Sequence, residues 1–271
     1  MTFDSSLAWK QASAAISANR EVLLALAGVF FMLPALVLEM FFPQPEPTAA
    51  MNEQQIAQLV SDYYVSILPV LIPMVLFQAL GTISLLTMLT DRSRPTVGEA
   101  IRRGVRGILP YLLAQMLLGL AVGIGGGAVL GVFALSGVPA LIGVGVALVL
   151  AVVIYAAVRT TLVAPAIAVE SMTNPVAALK RSWQLTRGNT LRILGFYALV
   201  LVVFLVIAMV VGIIVGIPLS LFAGTMASTI VGAIVSSSIN ALLALYFVAI
   251  IAAVHRQLAG PAPDIDRATF E

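Results

Sequence analysis

"NPVAALKRSWQLTRGN", Asn174 to Asn189, is the most polar and most patterned piece of a greasy chain and lies between two long apolar stretches. Its reading decides the fold because it has a near copy. "TVGEAIRRGVRGIL", Thr96 to Leu109, aligns without a gap to Asn174 to Arg187, so that Ala100, Ile101, Arg102, Arg103 and Gly104 meet Ala178, Leu179, Lys180, Arg181 and Ser182. Both segments open with helix-start chemistry. Thr96 and Glu99 have capping-box spacing, while Asn174 is a capping residue and Pro175 suits the first helical position. The pattern predicts two short helices that begin at equivalent places, each followed by two apolar runs.

On a helical wheel Lys180, Arg181, Gln184 and Arg187 share one face, and Ala178, Leu179, Trp183 and Leu185 the other. Arg102, Arg103, Arg106 and Glu99 cluster likewise against Ile101, Val105 and Ile108. Helices of this kind lie flat at a membrane surface with their basic faces toward headgroups. A looser third copy, "SLAWKQASAAISANREVLL" from Ser6, places Trp9, Lys10 and Ile16 opposite Leu179, Lys180 and Thr186. The expected organisation is one integral membrane domain of three units, each an elbow helix plus a transmembrane hairpin, at about residues 4–90, 91–169 and 170–256, with a short tail at 257–271.

Composition agrees with the class. Of 271 residues 61% are hydrophobic and 10% charged, and the mean hydropathy is +1.09, far from a water-soluble domain. Several runs exceed the roughly 20 residues a helix needs to cross about 30 Å of hydrocarbon, and β-barrel alternation is missing. The fold class is therefore an all-α polytopic membrane protein with six transmembrane helices, near Val22 to Phe42, Ile67 to Thr90, Ile108 to Leu135, Val138 to Val158, Ile193 to Ile217 and Met226 to Val254. The first run is too long for a signal-peptide core and is read as a retained helix.

Charge orients the spans. One side holds Lys10, Arg20, Arg92, Arg94, Arg102, Arg103, Arg106, Lys180, Arg181, Arg187, Arg192, Arg256 and Arg267; the other holds no lysine or arginine and includes the acidic loop Pro43 to Tyr64. The positive-inside rule puts both termini in the cytosol. Within that loop Ile56, Leu59, Val60, Tyr63 and Tyr64 recur at helical spacing, so an amphipathic helix is expected to run into span two, its tyrosines at the interface.

"VES" at Val169 to Ser171, followed by "AALKRSWQLTRGN", resembles the membrane domain of glycerophosphoryl diester phosphodiesterases and its stand-alone YciC-like relatives. The resemblance implies a multi-pass protein of the bacterial inner membrane. It does not bring phosphodiesterase catalysis with it, because that chemistry belongs to a separate soluble barrel with histidines and metal-binding carboxylates. This chain has one histidine and no polar segment of that length.

Glu170, Lys180, Arg181, Trp183, Arg187 and Asn189 match the motif and, with Arg102, Arg103 and Arg106, form the candidate site for anionic lipid or a partner. The plainer reading is a joint connecting span four to span five. Arg159, 21 residues after Val138 and so about 31 Å along a helix, falls near the cytosolic boundary, where it snorkels to phosphate, pairs with Glu170 or contacts a substrate. Gly119, Gly123, Gly127 and Gly131, and Gly212 with Gly216, predict close helix packing within the chain or a homo-oligomer seam. Ser228, Gly232, Ser236 and Asn240, with Gln78 and Gln115, are expected to join helices or line a polar pocket. Glu39 is expected to reach water, and His255 to be a plain helix-end residue.

No cysteine is present, and a lone histidine makes neither a metal site nor a catalytic dyad, so no cofactor, metal or catalytic residue is expected. Nucleic acid is not expected as a partner. The expected function is a non-catalytic, lipid-interacting or accessory membrane domain with a cytosolic or membrane protein partner. The alternative is a transporter or channel for a small or lipid-like solute, which internal repeats and span-two prolines favour and the absence of intramembrane charge pairs opposes.

Overall fold

The computed structural model describes residues 2–91, 95–222 and 224–260. Arg92, Arg94 and Arg267, which were counted in the charge pattern, and most of the tail lie outside the described residues. The chain is 86% helical, with no strand among the described residues, and six of its helical segments are long and apolar enough to cross a membrane. They are Arg20–Phe41, Glu53–Thr90, Val97–Ala134, Pro139–Ala168, Thr190–Leu221 and Met226–Ala259, close to the spans expected from hydropathy.

The helices are α1 (Ser5–Ala18), α2 (Arg20–Ala27), α3 (Leu33–Phe41), α4 (Glu53–Thr90), α5 (Val97–Ala134), α6 (Pro139–Thr160), α7 (Val163–Ala168), α8 (Pro175–Leu185), α9 (Thr190–Phe222) and α10 (Thr225–Ala259). A π-helical turn, Gly28–Met32, joins α2 to α3. Pro34 lacks the N–H that an α-helix would offer Phe30, and Leu33 N–H reaches back to Gly28 O instead. The turn presents Phe30 and Phe31 to Gly81 of α4, where an added Cβ would collide with Phe30 Cβ.

Helix α4 starts at an Asn52–Gln55 capping box and runs unbroken through Pro69 and Pro73, so the outer-loop helix does continue into span two. Tyr63 donates to the Phe42 carbonyl at 2.9 Å and ties the loop's two ends together. Packing is densest at the end of the molecule that carries both termini. There the last turns of α10, with Leu245 and Val248 to Val254 buried, meet α1, α2, α4 and Leu162. Farther along, α5, α6 and α9 turn mostly apolar, exposed side chains outward.

Asp4, Thr96 and Asn174 each cap a helix through a side-chain oxygen. Only two of those helices are short. After Thr96 the capping box forms as expected, but α5 continues through Pro110 for 38 residues to Ala134. Helix α1 ends where the backbone leaves helical geometry at Asn19 (φ −139°), and α8 ends at Leu185, three residues before Gly188 takes a positive φ of 83°. Leu109-Pro110-Tyr111 stays helical, so that elbow is fused to its span.

The glycine stripes do not serve close packing within the chain, the first of their two expected uses. Positions Gly119, Gly123, Gly127, Gly131, Gly212 and Gly216 have open space where a Cβ would go. Among the described residues, the glycines that let helices approach are Gly81, Gly104 against Leu80 and Ser84, Gly107 against Ile83, Gly126 against Val149, and Gly145 against Phe133. Spacing alone marked a face; it did not say whether a neighbour covers that face.

Glu39 makes one contact that spacing did not announce. Its carboxylate, still exposed, accepts from Ser236, eleven residues into α10, while α3 ends at Phe41. The α9–α10 hairpin therefore overshoots the end of span one by about nine residues, roughly 13 Å at 1.5 Å per residue.

Candidate functional site

The motif segment forms α8, whose buried face differs from the apolar face read on the wheel. Ala178, Ser182 and Thr186, spaced i, i+4, i+8, are the buried positions, while Trp183 is exposed beside Lys180, Gln184 and Arg187. That face closes on a break in span four. Helix α6 ends at Thr160 and α7 begins at Val163, and Pro165 cannot donate the N–H that would bridge them. Ser182 Oγ donates to the Arg159 carbonyl at 2.8 Å and accepts from Leu162 N–H at 3.1 Å, satisfying both orphaned groups. Thr186 Oγ1 adds a long bond, 3.4 Å, to the same carbonyl.

Glu170 follows α7 and does not pair with Arg159. It takes Arg181 Nε on both oxygens, at 3.1 and 2.9 Å, and His255 Nε2 at 2.9 Å. This network ties α8 to the end of α10. His255 is thus a partner of a carboxylate rather than a plain helix end, a contact across 85 residues that no spacing announces. At 6% side-chain exposure it is shut off from a substrate, and among the described residues no hydroxyl hydrogen-bonds it. No group of three acidic or histidine side chains there could hold a metal.

Arg159 does not snorkel. It is 4% exposed, with its guanidinium 4.4 Å from the Trp183 ring centre and 5.7 Å from that of Tyr155, one helical turn earlier. The two rings meet edge to face at 5.8 Å. Arg159 Nη1 donates to Thr190 Oγ1 at 3.4 Å, and Nε has no acceptor. The structure therefore gathers Arg159, Trp183, Tyr155 and Thr190 at the seam where α6, α8 and α9 meet.

The other candidates are distributed. Asn189 is buried and accepts from Phe3 N–H at 3.0 Å, which fastens the N-terminus to the start of α9. Arg103 pairs with Asp91. Lys180, Arg187, Arg102 and Arg106 are exposed, and among the described residues none forms an ion pair. Sequence reasoning missed Ser182, Thr186, Tyr155, Thr190 and His255. The small-residue spacing of Ala178, Ser182 and Thr186, and the i, i+4 pair Tyr155–Arg159, were the available signals.

Away from this end, a cavity of about 380 Å³ lies between α9 and α10, lined by Gly212, Gly216, Ser228, Gly232 and Ser236. Asn240, Gln78 and Gln115 do not line it; Asn240 is exposed, and Gln115 bonds the Tyr111 hydroxyl at 3.2 Å on its own helix.

The model of a domain of unknown function, DUF7847, matches residues 8–258. The chain belongs to that family. The family has no described function, and its match carries no link to phosphodiesterase membrane domains. No curated protein and no solved structure matches the chain.

Proposed function

We propose that the chain is a non-catalytic accessory domain of the inner (plasma) membrane, with both termini cytosolic, that engages anionic lipid or a lipid-bound partner through its basic end. The observation that carries this reading is the exposure of Lys180, Arg187, Arg102 and Arg106 on one end, free of the ion pairs that occupy Arg103 and Arg181. Each such cation near an acidic leaflet is worth about 1 kcal/mol. The likeness of Val169 to Arg192 to phosphodiesterase membrane domains is compatible with this role and would make the partner a separately encoded soluble enzyme.

Three elbow-plus-hairpin repeats are the organisation we infer. Under the alignment, the caps Asp4, Thr96 and Asn174 coincide, and so do the buried small residues Ala8 with Ala12, Ala100 with Gly104, and Ala178 with Ser182. These coincidences support it.

The test is native mass spectrometry of the purified chain in mixed phosphatidylcholine and phosphatidylglycerol. Lys180→Gln/Arg187→Gln/Arg102→Gln/Arg106→Gln should retain fewer phosphatidylglycerol molecules than wild type at equal phosphatidylcholine. Equal retention removes the reading. Transport is the second reading, favoured by the α9–α10 cavity; its lining is mainly glycine, serine and aliphatic, without the paired charges that ion coupling uses.

A further inference from the structure

Arg159 is a buried cation with no counter-charge among the described residues. Glu170 is occupied by Arg181 and His255, and among the described residues no carboxylate lies within ion-pair distance of Arg159. Its Nε is unpartnered and its single side-chain hydrogen bond is long. Stacking on Trp183 returns less than burying an unpaired ion costs. Among the described residues nothing supplies the missing anion.

The surroundings say what kind. Thr190 is the first residue of α9, so the guanidinium stands at a helix N-terminus, where unsatisfied N–H groups and the helix dipole favour negative charge. Arg192 is exposed in the same turn. Tyr155, Trp183, Val152 and Leu191 are all exposed and apolar, a setting for acyl chains rather than for a soluble anion. The Arg159 backbone lies about 31 Å of helical rise from Val138, comparable to the roughly 30 Å thickness of a hydrocarbon core.

We propose that the seam between α6 and α9 binds the phosphodiester of one anionic phospholipid, with Arg159 as the counter-charge, Thr190 as a hydroxyl contact and Trp183 as the ring the phosphate displaces to reach the guanidinium. This rests on the lipid-engaging reading above and narrows it from a diffuse basic surface to a single site.

Trp183 is its own reporter. The chain has two tryptophans, so Trp9→Phe leaves Trp183 alone. In phosphatidylcholine nanodiscs, adding dihexanoyl-phosphatidylglycerol should change Trp183 emission saturably. Arg159→Gln should weaken that response about tenfold or more, the scale of one charge-assisted hydrogen bond. Thr190→Val should weaken it in the same direction while leaving the guanidinium in place, and so carries the test if Arg159→Gln does not fold. Arg20→Gln, which removes a charge from the same end away from the seam, should leave it unchanged.

An unaltered titration in Thr190→Val and Arg159→Gln overturns the proposal. An equal response to inorganic phosphate overturns the assignment to lipid, and an equal response to dihexanoyl-phosphatidylcholine overturns the need for net negative charge. Failure here is separable from failure of the broader reading: a flat titration with charge-dependent lipid retention leaves only the diffuse surface, and the converse leaves only the seam.

Discussion

A single hydroxyl closes the break between α6 and α7. Ser182→Ala keeps the volume nearly constant and leaves the Leu162 N–H and the Arg159 carbonyl short of their partner inside a buried joint. The expected loss is about 1–3 kcal/mol, seen as a lower melting temperature in detergent. A second residue works in the opposite direction. Ser171 sits at φ 54°, in the left-handed region, while Met172 N–H wraps back to Ala166 O at 3.4 Å. Ser171→Gly should therefore raise stability by about 1 kcal/mol, read in the same melt. At this scale the sequence was only partly legible. The alignment of Ser182 with Gly104 said that the position must be small; nothing in it said that the hydroxyl serves a carbonyl 23 residues back. Arg159 was visible as an isolated cation, and its place beneath Trp183 needed α8 to fold over it.

At the scale of elements, glycines separate into two kinds. Gly104→Ala places a Cβ 2.5 Å from Ser84 Oγ and 2.7 Å from Leu80 on α4, and should destabilise the α4–α5 contact by about 1–3 kcal/mol. Gly123→Ala meets nothing and should be neutral or stabilising by up to about 1 kcal/mol from helix propensity. Equal melting temperatures for the two variants would contradict this division. Helix α1 carries a pH dependence of its own. The Leu7 N–H, and then the Ser6 hydroxyl, hold the Asp4 carboxyl below its usual value. A lowered acid stabilises the fold above its unfolded value near about pH 4 and loses that contribution as pH falls through the folded value. Hydrogen exchange in α1 should then be slower in wild type than in Asp4→Ala near neutrality, with the gap closing in acid. The long elements were legible because 18 or more apolar residues admit few alternatives. The π turn and the fused α5 were not, because each depends on which backbone groups find partners.

For the whole molecule, orientation is the first quantity to measure. The chain has no cysteine, so Thr48→Cys in the acidic loop and Ser5→Cys at the start of α1 give clean labels. A membrane-impermeant maleimide on intact cells should modify the first and not the second; the reverse pattern would invert the topology. The six-span layout came from hydropathy, and the expectation that both termini are cytosolic came from the distribution of lysine and arginine. Which helices touch was hidden, since in an apolar chain nearly every face is hydrophobic whether protein or lipid covers it.

The overshoot of the α9–α10 hairpin bears on the bilayer itself. From Ile193 to Leu221 helix α9 is apolar over 29 residues, about 43 Å of rise, against a hydrocarbon core of about 30 Å. Standing upright it would hold the leaflets locally apart; lying within an undisturbed core it must lean by roughly 45°, beyond the usual range of transmembrane tilt. Either way the hairpin makes the protein sensitive to membrane thickness, and lipid chain length becomes a variable that sets its shape.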